Sequence, residues 1–299
     1  MTTTAQFAVR HMLSFDVEEY FHAEAVAVGG LPRERWGEMP CRLAESMDEI
    51  LTLLAERKTT ATFFILGWVA RHEESVVRRI AAAGHEIASH GMSHAMLTRL
   101  EPAELAAELS DSKALLEDLG GRPVLGFRAP TFSVMHRTAW ALDVLVQCGY
   151  EYDSSIFPIR HDRYGVPEAP AKPHWGIGPG GGRILELPLL TLRVPGNNLP
   201  VGGGGYLRLF PTWLVAQGLR RAEKHGHGGM VYLHPWEFDP GHPVMAMGRV
   251  SRWRHRVNLH KTHRKLRRLM EQFPFTDIRS QLPHLRETTT MFQYGQAAS

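Results

Sequence analysis

The stretch His11–Val17 reads HMLSFDV and is followed at once by Glu18 and Glu19. Its apolar side chains predict a short buried strand, at whose end three acidic residues gather. In a strand, Asp16 and Glu18 share a face while Val17 points to the other. Acids after a strand could form only a solvated terminus, but the strand ends of parallel α/β folds also carry active sites.

Strand-like and helix-like segments alternate along the chain beyond this point. The predicted strands cover 60–66, 85–89, 123–127, 150–153 and 230–234, and the predicted helices cover 41–57, 69–83, 102–119, 138–147, 211–224 and 256–272. Repeated β-α-β connections imply parallel strands with helices packed outside them. The predicted class is therefore α/β. A closed or nearly closed (β/α) barrel fits the count, and an open doubly wound sheet is the alternative.

Proline and glycine crowd the stretch 157–206, which contains PEAPAKP, GIGPGGG and VPGNNLPVGGGG. These segments predict loops rather than helices or strands. The stretch could separate two domains, but the strand that follows it would complete a barrel equally well. We expect one domain, with a barrel over 8–240 and a C-terminal extension over 241–299 packed on it.

The composition is that of an ordinary globular protein of 299 residues, with 43% apolar and 22% charged residues. It excludes disordered, collagen-like and coiled-coil chains. The balance of 34 Lys and Arg against 31 Asp and Glu does not indicate a nucleic-acid binder. No apolar run is long enough to cross a membrane, and MTTTAQFAVRHMLSF lacks the apolar core of an export signal, so a cytoplasmic location is expected.

The histidines and cysteines narrow the chemistry of any metal site. The two cysteines form no C-x-x-C pair, so His and carboxylate side chains would have to hold a metal. Among 17 histidines, only His90 and His94, in SHGMSH, are spaced i, i+4. On a helical turn this spacing places both rings on one face, within reach of one cation, although a chance pair of loop histidines is the alternative.

Three further strand ends carry ionisable residues. Arg128 begins RAP after one predicted strand, Asp153 lies in YDSS, and His234 lies in VYLHPWE. The ends of parallel strands converge at one face of a barrel, so these residues would meet the acids after the first strand and the histidine pair. The combined set predicts a metal-dependent active site.

These five segments, in this order, resemble the motifs of the polysaccharide deacetylase family of carbohydrate esterases. SFDVEEYF, SHGMSH and RAP are similar to its first three motifs, and YDSS and LH to the fourth and fifth. The resemblance implies a distorted (β/α) barrel that removes acetyl groups from N-acetylated sugars. VPGNNLPVGGGGYLR and LHPWEFDP also resemble a subgroup encoded beside exopolysaccharide and exosortase loci, which implies a role in exopolysaccharide biosynthesis.

The sequence departs from the family at one position. The family commonly has two consecutive Asp in its first motif, a general base followed by a metal ligand, and here Val17 holds the second position. Asp16 would keep the role of the base. The alternation of side chains favours Glu18 as the acidic ligand, with Glu19 in reserve.

The resemblance implies a role for each candidate residue. Glu18, His90 and His94 would hold a divalent metal, Zn or else Co, Fe or Ni. Asp16 would act as base, held ionised by Arg128, and His234 would protonate the leaving amine. Asp153 would orient His234 or contact Arg128.

Three residues are expected to contact the N-acetylated glycan. Pro130 would fix the loop after Arg128, and a backbone N–H near Thr131 would help to stabilise the oxyanion. Trp236, two residues after His234, is the best candidate for a sugar-stacking platform.

Two other functions remain open at this point. Barrel relatives with altered first motifs hydrolyse small cyclic amides, and the Val17 substitution is compatible with a degenerate glycan-binding scaffold. Outside the site, the run 249–268 contains nine Lys or Arg and no Asp or Glu. It is either a solvated helix face or a contact with anionic lipid, or with a diphosphate-linked glycan, at the inner membrane, while nucleic acid is not expected.

Overall fold

The computed structural model describes residues 9–161 and 163–295. The outer limits of the predicted division, residues 8 and 299, lie outside these ranges, as do the first eight residues of the segment examined for an export signal. The boundary at residue 240 stays a prediction. Within the described ranges, no helix is both long and apolar enough to cross a membrane.

Strands and helices alternate through most of the described chain. The strands are β1 (His11–Val17), β2 (Thr62–Ile65), β3 (Glu86–Ser89), β4 (Gly126–Phe127), β5 (Tyr152–Asp153), β6 (His174–Ile177), β7 (Arg183–Glu186), β8 (Thr191–Val194), β9 (Asn197–Pro200), β10 (Met230–Leu233), β11 (Phe275–Thr276) and β12 (Met291–Gln293). The helices are α1 (Glu24–Val28), α2 (Leu43–Glu56), α3 (Gly67–His72), α4 (Glu74–Ala82), α5 (Pro102–Gly120), α6 (Trp140–Gln147), α7 (Gly204–Leu209), α8 (Thr212–Lys224), α9 (Arg249–Arg256), α10 (Thr262–Gln272) and α11 (Leu282–Leu285).

A ring of parallel strands forms the centre of the fold. β10, β1, β2, β3, β4, β5 and β7 are successive neighbours, and each pair is parallel. The ring closes just after β7, because Leu189 forms a parallel bridge with Met230 and Gly203 forms one with Tyr232. The predicted α/β barrel is therefore confirmed in a distorted form, and the open doubly wound sheet does not form.

The side chains of β1 alternate between two apolar layers. Met12 belongs to the smaller cluster, which fills the barrel and includes Phe64 and Tyr232. Phe15 and Val17 belong to the larger cluster, which joins the sheet to the surrounding helices. Because successive side chains of a strand point to opposite faces, Asp16 points into the barrel from the end of β1.

The proline- and glycine-rich stretch is where the sequence-based assignment is wrong. It contains β6 to β9 and α7, and β7 is one of the barrel strands. The glycines make the tight turn between β6 and β7, where the backbone N–H of Gly178 bonds to the Gly182 carbonyl and Gly181 has φ +87°. Four-residue strands separated by such turns show too little periodicity to be recognised.

Two helix boundaries also differ from the prediction. The predicted helix 69–83 is two helices, α3 and α4, because the backbone at Glu73 leaves the helical conformation. The basic helix predicted at 256–272 starts only at Thr262, as α10, and Arg256 is the last residue of a separate helix, α9. The C-terminal part packs on the barrel, where β11 pairs with β1.

Barrel closure makes a testable demand on Gly203. A Cβ atom at this position would collide with the carbonyl oxygen and the ring of Tyr232, whereas one at Gly37 would meet no described atom within 4 Å. We expect Gly203→Ala to lower the free energy of unfolding by about 2 kcal/mol in urea titrations, because the closing strand cannot move aside. Gly37→Ala is the control and should change it by less than about 0.5 kcal/mol. Equal effects would contradict this account of closure.

Candidate active site

Three side chains that suit a divalent cation meet at one face of the barrel. The ligand atoms of Glu18, His90 and His94 all lie within 4.8 Å of one another, and all three residues are buried. Glu18 Oε2 is 2.6 Å from His94 Nε2 and 3.8 Å from His90 Nε2. Among the residues that the structure describes, this oxygen has no partner in hydrogen-bonding geometry. A buried carboxylate oxygen facing two imidazoles is a donor set that fits zinc-like metals.

The loop between the two histidines is not the helical turn that their spacing predicts. No helix is formed at Gly91 or His94, which have φ values of +77° and +54°. The carbonyl of Gly91 accepts a hydrogen bond from Gly67 N, which ties the loop to the start of α3. The rings therefore converge because the backbone reverses, and only the proximity of the pair agrees with the prediction.

A neighbouring backbone group sets the orientation of His90. Its Nδ1 lies 2.8 Å from the carbonyl oxygen of Arg128, and since a carbonyl only accepts, Nδ1 carries the proton. The lone pair of Nε2 then faces Glu18. Such a contact behind the ring is the usual way in which proteins orient a metal-binding histidine.

Glu19, the reserve ligand, has a different place in the structure. Its Oε1 accepts hydrogen bonds from the backbone N–H groups of Arg42 and Leu43, at 2.6 Å and 2.9 Å. It thereby satisfies N–H groups at the start of α2. Burial raises the pKa of Glu19 to about 7. Glu18, and not Glu19, is the acid that lies beside the histidine pair.

Asp16 forms a buried ion pair inside the barrel. Its Oδ1 is 2.6 Å from Nη1 of Arg128, which is fully buried. The same nitrogen donates to Ser14 Oγ, and Nη2 donates to Ser154 Oγ at 2.8 Å. The guanidinium also lies 4.0 Å from the ring centre of Phe64. The predicted contact between Arg128 and Asp16 is therefore present.

His234 lies opposite Asp16, with its Nε2 3.7 Å from Glu18 Oε1 and 4.0 Å from Asp16 Oδ2. Its Nδ1 is 2.8 Å from Oε1 of Glu237, a buried residue three positions later. Glu237 Oε2 in turn accepts a 2.5 Å hydrogen bond from Nε of Arg208, which lies on α7. Acid and base candidates thus flank the Glu18 carboxylate.

Asp153 does not take either of its predicted roles. Ser155 Oγ donates to Asp153 Oδ1, and Asp153 pairs in register with Glu186 on β7, so that the two carboxyl groups act on each other electrostatically. Burial raises the pKa of Asp153 to about 6, while burial and the Asp153 charge hold that of Glu186 well above its usual value. The two carboxyls therefore disfavour each other's ionisation. The residue that orients His234 is Glu237, and the one that pairs with Arg128 is Asp16.

The position of Trp236 argues against the predicted sugar platform. The side chain is only 7% exposed. Its ring stacks on the rings of His234 and His255, with 5.0 Å and 4.3 Å between ring centres. Its Nε1 donates a hydrogen bond to Glu18 Oε1 at 3.4 Å. Trp236 therefore packs behind the site and offers little ring surface to a sugar.

The loop after Arg128 has an unusual backbone. Thr131 and Phe132 have φ values of +57° and +50°, a conformation that costs free energy in residues other than glycine. Pro130 begins the turn, and the Ser133 hydroxyl donates to its carbonyl at 2.8 Å. This strained turn holds Thr131 at the edge of the barrel, next to the Arg128 position.

The site concentrates charge in a buried space. Burial alone would raise the pKa of Glu18, but His94, His234 and His90 hold it below its usual range. Burial lowers the pKa of His90 to about 4. For His234, burial is outweighed by the hydrogen bond to Glu237 and by the nearby acids, which raise its pKa to about 9. A neutral His90 can donate a lone pair, and a protonated His234 can donate a proton.

Comparisons with known sequences support the resemblance noted above. The family described as "Polysaccharide deacetylase" matches residues 37–152, and "Domain of unknown function (DUF3473)" matches residues 154–283. The chain belongs to the polysaccharide deacetylase family. The first match contains His90, His94 and Arg128, whereas His234 falls within the second.

The family's curated members match this chain over part of their length. A chitooligosaccharide deacetylase of Bradyrhizobium sp. (strain ANU 289) is 40% identical over 68 residues, covering 22% of this chain and 31% of that protein. One from Rhizobium leguminosarum bv. trifolii is 33% identical over 134 residues, covering 44% of this chain and 50% of that protein. The chain thus spans half or less of the length of these relatives.

The crystal structure of a protein described as a polysaccharide deacetylase, from Mycobacterium smegmatis, has the same fold as this chain. Its TM-score is 0.58 at 19% sequence identity, over 100% of this chain and 97% of the other. This likeness supports the distorted barrel.

Sequence reasoning missed Glu237 and Arg208. Glu237 had a usable signal, because a carboxylate three residues after a strand-end histidine can reach back to its ring in a short turn. Arg208 had none, since it lies 26 positions before His234, between the predicted loops of 157–206 and the helix predicted from 211.

The donor set predicts how metal binding depends on the two adjacent acids. Glu18→Gln should weaken Zn²⁺ binding by more than the roughly 10–100-fold that loss of an outer contact usually costs, because one of three ligands is lost. Isothermal titration of the metal-free protein measures this affinity. Glu19→Gln is the matched control and should bind as the parent does, because the amide oxygen can still accept the N–H groups of α2. The reverse order of effects would contradict the assignment.

Proposed function

We propose that this protein is a metal-dependent N-deacetylase that acts on N-acetylated sugars of a polysaccharide or lipid-linked glycan. One observation carries the proposal: the Glu18, His90 and His94 cluster lies between an arginine-paired Asp16 and a carboxylate-paired His234. Metal-assisted amide hydrolysis uses a cation site, a base and an acid arranged in this way around one reacting carbon. The curated relatives named as chitooligosaccharide deacetylases give further support.

Glu18 Oε2, His90 Nε2 and His94 Nε2 are the atoms that would hold the metal. A divalent metal bound there would polarise the acetyl carbonyl and favour deprotonation of a water molecule. Zn²⁺ is our first choice because two imidazoles and one carboxylate form a common ligand set of zinc hydrolases. Co, Fe and Ni suit the same donors.

Asp16 is the base in this proposal. Oδ1 is occupied by Arg128, which leaves Oδ2 to take a proton from water as the water oxygen bonds to the acetyl carbon. The short bond to Arg128 holds the carboxylate in place. A backbone N–H of the turn at Thr131 would stabilise the oxyanion, with Pro130 fixing that turn.

His234 is the acid. Its Nδ1 is hydrogen-bonded to Glu237, so the proton on Nε2 is the one that points towards Asp16 and Glu18. Transfer of that proton to the amide nitrogen, as the carbon–nitrogen bond breaks, releases acetate and the free amine. Glu237 and Arg208 act behind His234 as positioning residues, as a buried carboxylate does in other histidine-based sites.

We also propose exopolysaccharide biosynthesis as the biological setting. Its support is the resemblance of VPGNNLPVGGGGYLR and LHPWEFDP to the subgroup encoded beside such loci. The cytoplasmic location expected from the sequence stays a prediction.

The direct test is release of acetate from N-acetylglucosamine oligomers by the metal-loaded protein. Asp16→Asn should lower kcat/KM by about 10²- to 10⁴-fold, the usual contribution of a general base. Asp111→Asn, a change on the exposed side of α5, is the control and should leave the rate unchanged. Full activity of Asp16→Asn would remove the base assignment. Ring opening of cyclic imides without acetate release would replace the proposed function with the cyclic-amide one, and binding of oligomers without any turnover would favour the scaffold.

The role of Glu237 predicts a dependence on the leaving group. Glu237→Gln should slow amide hydrolysis by about 100-fold or more, because His234 is no longer held in the proton-donating state. Hydrolysis of a nitrophenyl acetate, whose leaving group needs no proton, should fall by less than about threefold. Glu237→Asp should recover part of the amide activity. Equal losses on both substrates would show that Glu237 only maintains the structure.

A further inference from the structure

Three exposed apolar side chains lie on helix α9 or just before it. Among the described residues, the large hydrophobic side chains that are strongly exposed include Val244, Val250 and Trp253, at 60%, 63% and 56%. The last two lie one turn apart on α9 and so share a face of that helix. An apolar group of this kind on a surface marks an interaction site more often than a scattered single residue does.

The end of α1 extends this apolar area. Val28, its last residue, is 74% exposed. Gly29 packs so closely on the backbone of Ala246 that a Cβ atom there would collide with the Ala246 carbonyl oxygen. Val28 therefore lies beside the segment that carries Val244. We call Val28, Val244, Val250 and Trp253, with the exposed arginines of α9, the apolar–basic rim.

The charges of the rim have one sign. Arg249, Arg252 and Arg254 are exposed on α9, between and beside the two apolar residues. The sequence from 240 to 270 contains no Asp or Glu. The binding partner must therefore offer both negative charge and an apolar environment that can take up valine and tryptophan side chains.

The rim borders the face of the barrel that carries the candidate site. α1 follows β1, and α9 follows β10, so both come after the strand ends that present Asp16 and His234. The buried side of α9 contacts Trp236, the residue that packs behind the candidate site, because the ring of His255 stacks on it with 4.3 Å between ring centres.

We propose that the apolar–basic rim docks on the surface of an anionic lipid bilayer. Tryptophan favours the interface between headgroups and acyl chains, and the valines can enter the same layer. The arginines gain from the negative potential of anionic lipid. A nucleic acid would satisfy the arginines but would leave three exposed valines without an apolar partner, so the bilayer accounts for more of the surface.

The test is sedimentation of the full chain with lipid vesicles, which does not depend on catalysis and so stays separate from the proposed function. The parent should bind vesicles of phosphatidylcholine mixed with phosphatidylglycerol at low salt, and should bind pure phosphatidylcholine much less. Changing Arg249, Arg252 and Arg254 to Gln should weaken binding by roughly 100-fold, since each such charge contributes about fivefold. The double variant Val250→Ser and Trp253→Ser should weaken it by about tenfold or more.

Matched controls separate the rim from general effects of charge and hydrophobicity. Trp213→Ser removes a tryptophan that is 61% exposed on α8. A triple change to Gln at Arg10, Lys58 and Arg122 removes three exposed cations that precede strands β1, β2 and β4, at the opposite end of the barrel. Both controls should bind within about threefold of the parent.

Several outcomes would overturn the proposal. One is the absence of sedimentation with anionic vesicles at low salt, and another is an equal loss of binding in the control variants. Binding that survives in either rim variant would have the same meaning. Binding of single-stranded RNA that is as strong as binding of vesicles would also count against the bilayer. If the Val250→Ser and Trp253→Ser variant bound that RNA as the parent does, the arginines would be assigned to nucleic acid.

Discussion

The buried guanidinium of Arg128 is the interaction on which the site depends. Its side chain joins β1 to the segment after β5, through Asp16, Ser14 and Ser154. Its own carbonyl orients His90. Burying such an ion pair adds little to stability by itself, whereas removing one partner leaves an uncompensated charge and costs about 3–5 kcal/mol. The arrangement is better explained by what it positions, since Arg128 holds both the carboxylate of Asp16, the candidate base, and the ring of His90, a candidate metal ligand.

The surroundings of His234, the candidate acid, are built by a different part of the chain. Arg208, Glu237 and His234 all lie in the region matched by the domain of unknown function. Lys265 on α10 donates to the carbonyls of Leu207, Arg208 and Phe210, which closes the end of α7 and fixes Arg208. Lys265 therefore helps to hold the residues behind His234, the candidate acid, which gives the region matched at 154–283 a physical reason to accompany the barrel.

The sequence predicted well what depends on periodicity and strand ends. β1 was predicted with its observed bounds, and the parallel barrel follows from the alternation of strands and helices. Val17 also has a physical explanation, because its side chain packs in the layer between sheet and helices. Glu18, the next residue, supplies the carboxylate beside the two histidines.

What the sequence could not predict depends on turns and on distant contacts. Glycine and proline signalled turns over 157–206, but not the short strands between them. The spacing of His90 and His94 suggested a helix, while positive φ values at Gly91 and His94 bring the rings together in a loop. Asp153 lies at the correct strand end, yet its partner is set by register with β7, a strand that the local pattern does not reveal.

Helix α9 connects the outer surface to the residues behind His234, the candidate acid. Its exposed side carries the apolar–basic rim, its buried His255 stacks on Trp236, and carbonyls at its end accept hydrogen bonds from Arg208. A displacement of this helix would act on Arg208, which forms an ion pair with Glu237, and Glu237 in turn is hydrogen-bonded to His234. If the rim docks on a surface, α9 must keep its position so that His234 keeps its own. The nearly complete burial of Arg208 and Glu237 in a close-packed interior restrains such a movement.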